Sequence, residues 1–159
     1  MKESVEILQL PNYYEGPVRA ALSGFSGDKP AGKAILYLHG YIDYFFQTHM
    51  ARTFVEAGWD FYALDLRKYG RSLLPHQRAF YCRDLREYFP EIDLSIERIC
   101  AQGNKTVVLL GHSTGGLIAS LYAAQGAQRE GIDALVLNSP FFEFNTGCFK
   151  RRIAIPLVG

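Results

Sequence analysis

Residues 106–125 constrain the fold most, because a strand, a tight turn and a helix follow one another there without a spacer. The first five residues form a β-branched and aliphatic run that is typical of a buried parallel strand. Residues 117–124 are rich in good helix formers. Between these two patterns lies Gly111-His112-Ser113-Thr114-Gly115-Gly116. A serine in such a turn projects at the carboxyl end of the strand in a strained backbone conformation.

This turn has two interpretations. It is typical of a nucleophile elbow, in which Ser113 attacks an acyl carbon and glycine at 111 and 115 removes the collisions of flanking side chains. Backbone N–H groups at the start of the helix then point toward the serine, with the positive end of the helix dipole behind them. The alternative is a glycine-rich turn with a solvated serine, because the pattern G-x-S-x-G is short. The strand before the turn and the helix after it favour the elbow.

Length, charge and hydropathy limit the class of protein. A chain of 159 residues has the length of one domain. Its net charge of +1 gives no electrostatic reason to expect nucleic acid as a partner. The first six residues carry acids where a signal peptide needs an apolar run, and no stretch reaches the ~18 apolar residues of a membrane span. We therefore expect a cytoplasmic protein without an integral membrane segment.

Three cysteines are widely spaced in the sequence, namely Cys82, Cys100 and Cys148. Their odd number and wide spacing favour reduced cysteines that pack in the fold over a disulfide framework or a zinc site. No metal ligand set is expected.

Strand and helix patterns alternate along the rest of the chain. Residues 5–10 and 18–25 predict an antiparallel pair, and the uniformly apolar run 34–38 predicts a central strand covered on both faces. Further patterns predict a helix at 46–57, a strand at 59–64, a helix over 85–99 that Pro90 should kink or split, and a buried strand at 132–137. This alternation predicts a mostly parallel α/β sheet with helices on both faces.

The last residues mix aromatics, basic residues and aliphatics without a stop signal. Residues 134–137 would form a hydrophobic edge strand if nothing covered them, and folded proteins normally avoid such an edge. The sequence therefore predicts a sheet that is truncated after its sixth strand. Residues 1–142 are then the N-terminal part of a core domain, and 143–159 the incomplete start of a cap or lid. The 134–137 edge is expected to self-associate or to pair with a missing C-terminal half.

Three motifs in order resemble those of the α/β-hydrolase superfamily. They are Leu38-His39-Gly40-Tyr41, residues 65–72 and residues 111–116. Within the superfamily, the chain is most similar to serine hydrolases grouped with monoacylglycerol lipases and lysophospholipases, over roughly residues 34–142. The resemblance implies hydrolysis of a small-molecule or lipid-like acyl ester through an acyl-enzyme, with no metal and no organic cofactor.

The same resemblance assigns roles around the turn. Ser113 is the implied nucleophile, and the backbone N–H groups of Tyr41 and Thr114 form the implied oxyanion hole. His39 and Gly40 would shape the oxyanion loop. The aromatic residues that follow this loop would line an acyl pocket or the underside of a cap, although core packing explains part of them equally well.

Residues 65–72 resemble the pattern D-x-R-G-x-G-x-S, whose usual role is to shape the loop beside the active site. Lys68 and Tyr69 depart from it at the first glycine and at the residue after. We interpret the segment as a polar structural loop and predict an internal ion pair between Asp65 and Arg67.

No histidine in the sequence is a good general base. His39 is assigned to the oxyanion loop, and His112 should project away from Ser113 because adjacent residues point to opposite sides. His49 falls on a predicted helix and His76 in a polar loop, so both are expected to be solvated.

Glu143 lies just beyond the last predicted strand, where some relatives place the triad acid, although most of the group that this chain resembles place it one strand later. In the resembled family the acid and the histidine follow the serine in chain order, so both are expected beyond residue 159. The sequence thus predicts a serine ester hydrolase whose 159 residues alone are inactive or weakly active. The alternative is a non-catalytic α/β-hydrolase-like binding or interaction module.

Overall fold

The computed structural model of the protein describes residues 1–143. Six strands form one sheet: β1 (Lys2–Gln9), β2 (Arg19–Ser26), β3 (Lys33–Leu38), β4 (Asp60–Asp65), β5 (Thr106–His112) and β6 (Ala134–Asn138). Three α-helices accompany them: α1 (Thr48–Glu56), α2 (Phe89–Ala101) and α3 (Thr114–Gln125). Short 3-10 helices cover Gly70–Ser72, Leu85–Tyr88 and Arg129–Gly131.

The strand order in the sheet is β1-β2-β4-β3-β5-β6. The first two strands pair antiparallel, and β2 is antiparallel to β4. All other pairs are parallel, with Leu36 at the sheet centre opposite Tyr62 on β4 and Leu109 on β5. The prediction of a mostly parallel α/β sheet is confirmed.

The alternating side chains of β3 divide the core into two clusters, one on each face of the sheet. Ala34, Leu36 and Leu38 belong to the larger cluster, which also contains the buried hydrophobic residues of α2 and α3. Ile35 and Tyr37 belong to the smaller cluster, which contains Ala51 of α1. Helices therefore cover both faces of the sheet, as the uniformly apolar sequence of β3 predicts.

Pro90 divides the long helical pattern as predicted. The segment before it is the 3-10 helix Leu85–Tyr88, and Pro90 then occupies the first turn of α2, where its missing N–H costs no hydrogen bond. Asp84 caps the 3-10 helix and forms a capping box with Glu87.

Strand β6 differs from the prediction of a buried strand, because all five of its residues are exposed. Within the described part of the chain it pairs only with β5, so its outer side has no neighbouring strand. Val136 at the middle of the strand is 47% exposed. The apolar sequence of Ala134–Asn138 therefore predicts that a strand forms here, but it does not predict whether that strand is buried.

No helix among residues 1–143 combines the length and apolarity that a membrane-spanning segment requires. The segment predicted to begin a cap, residues 143–159, lies outside the described residues except for Glu143.

Candidate active site

Ser113 lies between β5 and α3 in the strained conformation that the sequence predicts. Its φ is 53° and its ψ is −121°, a backbone region that side-chain-bearing residues rarely adopt. The Ser113 N–H donates to the carbonyl of Asn138 at 3.1 Å. Its carbonyl accepts the N–H groups of Gly116 and Phe141, each at 2.9 Å. Hydrogen bonds from the end of β6 and the residues after it, as well as from the first turn of α3, therefore fix the conformation of the turn.

The glycines around Ser113 are required by close backbone contacts. A Cβ atom on Gly111 would lie 2.5 Å from the carbonyl oxygen of Gly115 and 2.6 Å from the Cα of Gly116. A Cβ atom on Gly115 would collide with the carbonyl groups of Leu38 and His39 at the end of β3. Only glycine allows α3 to approach the two strands this closely.

The loop that leaves β3 passes directly beside Ser113. A Cβ atom on Gly40 would lie 3.2 Å from the Cβ of Ser113, so the next residue, Tyr41, is held near the turn. Thr114 is the first residue of α3, and its N–H therefore has no acceptor within the helix. Tyr41 and Thr114 line the same cavity, while their joint role as oxyanion donors stays a prediction.

His39 is 1% exposed and uses both ring nitrogens inside the fold. Its Nδ1 donates to the carbonyl of Gly40 at 2.8 Å, and its Nε2 accepts the N–H of Leu66 at 3.1 Å. An imidazole that donates with one nitrogen and accepts with the other is neutral. Burial lowers the pKa of His39, which favours the same neutral form. This imidazole has no nitrogen left for a serine proton.

All four histidines of the sequence fall within the described residues, and none forms a hydrogen bond with the Ser113 hydroxyl there. The Nδ1 of His112 donates to the carbonyl of Asn138 at 3.2 Å, the carbonyl that also holds the Ser113 N–H. His76 contacts the carbonyl of Pro17 at 3.2 Å, and His49 is exposed on α1.

Glu143 follows two residues after Phe141, whose N–H binds the Ser113 carbonyl. The residue is exposed, and its role as the triad acid stays a prediction.

The predicted ion pair between Asp65 and Arg67 is wrong. Asp65 accepts the Phe45 N–H at 3.1 Å and binds the guanidinium of Arg71 at 2.9 Å. Arg67 instead pairs with Glu91, with Nη2 2.6 Å from Oε2 and Nε 3.0 Å from Oε1. The physical reason is that the two side chains lie on opposite faces of the sheet. Asp65 binds Phe45 of the smaller cluster, on the face that α1 covers, whereas Arg67 binds Glu91 of α2 on the other face.

Sequence reasoning missed Glu91, which is fully buried on α2. The signal was present in the spacing, because Glu91, Ser95 and Ile99 are four residues apart and share one helix stripe. An acid in a buried stripe requires a buried cation as its partner.

Lys68 is another charged residue that the fold buries completely. It is 0% exposed and has a φ of 66°, a left-handed conformation that favours glycine. Its ammonium binds the Glu15 carboxylate, donates to the Tyr14 hydroxyl at 3.2 Å and lies 4.6 Å from the Tyr14 ring centroid. These contacts compensate a strained conformation at the position where the resembled pattern has glycine.

Glu15→Gln is expected to lower the free energy of unfolding by about 2 kcal/mol, because the buried ammonium of Lys68 loses its only carboxylate among the described residues. The Lys68 hydrogen bond lowers the pKa of Glu15 below its usual 4.5, so the pair stabilises the fold above that pH. Stability should then be lost as the pH falls through the folded-state pKa.

Urea unfolding over a range of pH measures both effects. The matched control is Glu3→Gln, an exposed glutamate on β1. Wild type and Glu15→Gln should converge in stability at acid pH; an equal difference at every pH would contradict the ion-pair explanation.

A cavity of about 510 Å³ opens beside the Ser113 turn. Tyr41, Thr114 and Ile118 line it on the side of the turn, and it is completed by residues 78–82 with Tyr69, Leu85 and Tyr88. Burial raises the pKa of Tyr69 to about 12 and also raises the pKa of the Cys82 thiol, so both stay neutral at pH 7. No Asp or Glu of residues 1–143 lines the cavity, and Arg78 is the only charged residue that does.

Comparison with known proteins identifies relatives over most of the chain. Residues 29–157 match the family described as Serine aminopeptidase, S33. The chain is 31% identical to a monoacylglycerol lipase of Mycolicibacterium smegmatis over 147 residues, which cover 90% of this chain and 50% of that protein. It is 32% identical to a putative esterase/lipase 2 of Mycoplasma pneumoniae over 119 residues, covering 74% of this chain and 41% of the relative.

A solved structure shares the fold. The crystal structure of a thermostable carboxyl esterase from Bacillus coagulans in complex with glycerol superposes with a TM-score of 0.75 at 18% identity. The match covers 98% of this chain and 50% of the esterase. The chain thus spans about half the length of the relatives that it matches.

Proposed function

The chain belongs to the serine aminopeptidase S33 family of α/β-hydrolases, and from this premise we propose that it supplies the nucleophile and the oxyanion hole of a carboxylic ester hydrolase. The observation that carries the proposal is the conformation of Ser113, which is strained and stands between the end of β5 and the start of α3. A hydroxyl held at that point can approach an acyl carbon without obstruction by its own strand.

In the proposed reaction, the Ser113 hydroxyl attacks the ester carbonyl and the alcohol leaves, which forms an acyl-enzyme that water then hydrolyses. The N–H groups of Tyr41 and Thr114 stabilise the negative charge that develops on the carbonyl oxygen. Support comes from the contact of Gly40 with Ser113 and from the position of Thr114 at the positive end of α3.

The proposal assigns the general base to polypeptide outside the described residues. His39 has both nitrogens occupied, and the contacts of the other three histidines do not include the Ser113 hydroxyl. Without a base, Ser113 is a neutral hydroxyl at pH 7 and a weak nucleophile. We therefore expect the 159 residues alone to turn over an ester slowly.

An acyl ester is a better substrate class than an amino-terminal peptide. A peptide with a free N-terminus brings an ammonium group, which needs a carboxylate, and none lines the cavity within the described part of the chain. Aromatic side chains such as Phe80 and Tyr88 suit a lipid-like acyl group instead. The names of the two sequence relatives, a monoacylglycerol lipase and an esterase/lipase, favour the same class.

The test supplies the missing base as free imidazole. Hydrolysis of p-nitrophenyl butyrate by the 159-residue chain should rise with imidazole concentration to about tenfold or more above that of Ser113→Ala under the same conditions. The Ser113→Ala chain is the matched control, because it corrects for hydrolysis by imidazole in solution. Mass spectrometry of the quenched reaction should find the butyryl group on Ser113. Equal rates for both chains, with no acylated serine, would favour the non-catalytic binding module.

A further inference from the structure

We propose that Arg78 makes this cavity selective for esters that carry a negatively charged group, a carboxylate or a phosphate. Arg78 is the single charged residue among the described residues that line the cavity, and it is exposed to solvent there. The inference rests on the proposed function, since it takes the cavity beside Ser113 to receive part of the ester.

Residues 78–82 form one wall of the cavity, and the acidic residues near this wall are already paired with other groups. Glu15 binds Lys68, Glu91 binds Arg67, and Asp84 binds Arg86. The fourth, Glu87, accepts the backbone N–H groups of Arg83 and Asp84 and belongs to the capping box.

None of the ion pairs among residues 1–143 involves the Arg78 guanidinium, and the Glu15 carboxylate faces only the backbone N–H of Arg78. Its contact is with the Tyr81 ring, whose centroid lies 4.6 Å from the guanidinium carbon. A guanidinium stacked on a ring keeps its N–H groups at its edge, where they can donate to a carboxylate or a phosphate in bidentate geometry.

Two further cations lie behind the same wall, and the Glu15 carboxylate neutralises the charge of one of them, Lys68. The Lys68 ammonium is 5.5 Å from the Tyr81 ring centroid, on the side chain that Arg78 also contacts. Arg83 lies 3.7 Å from the ring centroid of Tyr14 and forms no ion pair in the part of the chain that the structure describes. An anion in the cavity therefore meets Arg78 as the one accessible cation among the described residues that line it.

The aromatic side chains around Arg78 define the rest of the ligand. Tyr41 and Phe80 contact each other at the cavity, with ring centroids 6.2 Å apart. Phe80 also packs on Tyr69 at 5.2 Å. An ester with an apolar body and one anionic end fits these walls, with the apolar part against the rings and the charge at Arg78.

Binding to the 159-residue chain tests the inference without requiring hydrolysis. Calorimetric titration compares octanoate and octyl phosphate with neutral octanamide, ligands of matched chain length. In wild type both anions should bind about tenfold more tightly than octanamide, and added salt should reduce the difference. A preference for octyl phosphate alone would assign the site to phosphate-bearing esters, whereas a preference for both assigns it to anionic esters in general.

Variants identify the residue responsible. Arg78→Gln should bind all three ligands with similar affinity, and Arg78→Lys should keep part of the preference because the charge remains. The matched control Arg52→Gln, an exposed arginine on α1, should bind like wild type. Ser113→Ala should keep the anion preference, so this result can be read even if the ester hydrolase proposal fails. Equal binding of anions and amide by wild type, an unchanged preference in Arg78→Gln, or no binding at all would overturn the inference.

Discussion

Glu91→Leu is expected to lower the free energy of unfolding by about 3–5 kcal/mol, the largest effect among the substitutions considered. Glu91 is fully buried and accepts the side chain of Arg67 through both carboxylate oxygens and the Arg67 backbone N–H through one of them. The substitution leaves the guanidinium of Arg67, itself 3% exposed, without a counter-charge in the interior.

Urea unfolding of two further chains tests this explanation. Glu97→Leu is the matched control on the same helix, since Glu97 is exposed, and it should change stability by less than about 0.5 kcal/mol. The double variant Arg67→Met with Glu91→Leu removes both charges and should recover most of the loss. A Glu91→Leu chain as stable as wild type would mean that water or a rearranged loop satisfies Arg67.

Gly115→Ala is expected to destabilise the fold by about 3 kcal/mol, because the added methyl group would collide with the backbone carbonyls of Leu38 and His39. Backbone at the end of a central strand cannot move without disturbing its hydrogen bonds to both neighbours, so relief is costly. The first turn of α3 should be displaced from β3, and with it the position of Ser113.

The control for this substitution is Gly27→Ala, where an added Cβ would meet its nearest atoms at 3.9 Å. That change should have an effect below about 1 kcal/mol. Thermal unfolding followed by circular dichroism measures both variants. Similar midpoints for the two would contradict the close approach of α3 to β3.

The strand, turn and helix around Ser113 were predictable because each part is specified locally. The apolar run gives β5, the helix formers give α3, and the glycines permit the contact between them. Even the strained conformation of Ser113 follows from these local features. The same holds for Pro90, whose ring restricts its own helix turn.

Partner choice among charged residues could not be read from the sequence. Asp65 and Arg67 are two positions apart, yet they bind groups on opposite faces of the sheet. Which face a side chain reaches after β4 ends depends on the path of the loop, including the left-handed residue Lys68. The burial of β6 was mispredicted for a related reason, since burial depends on neighbours from elsewhere in the fold.

The cavity wall at residues 78–82 was also beyond sequence reasoning. Its residues follow no helical or strand period, so nothing in their order indicates that they lie opposite Thr114. Only the assembled structure therefore identifies Arg78 as a residue that lines the cavity.

The strand order determines in which order the parts of the sheet can form while the chain is being synthesised. The hairpin of β1 and β2 can pair once residues 2–26 have left the ribosome. The central strand β3 gains its second neighbour only when Thr106 and the residues after it have emerged, and the Ser113 turn is fixed only when Asn138 can accept its N–H. The Ser113 turn is therefore completed late on the nascent chain, after most of the sheet that supports it has been made.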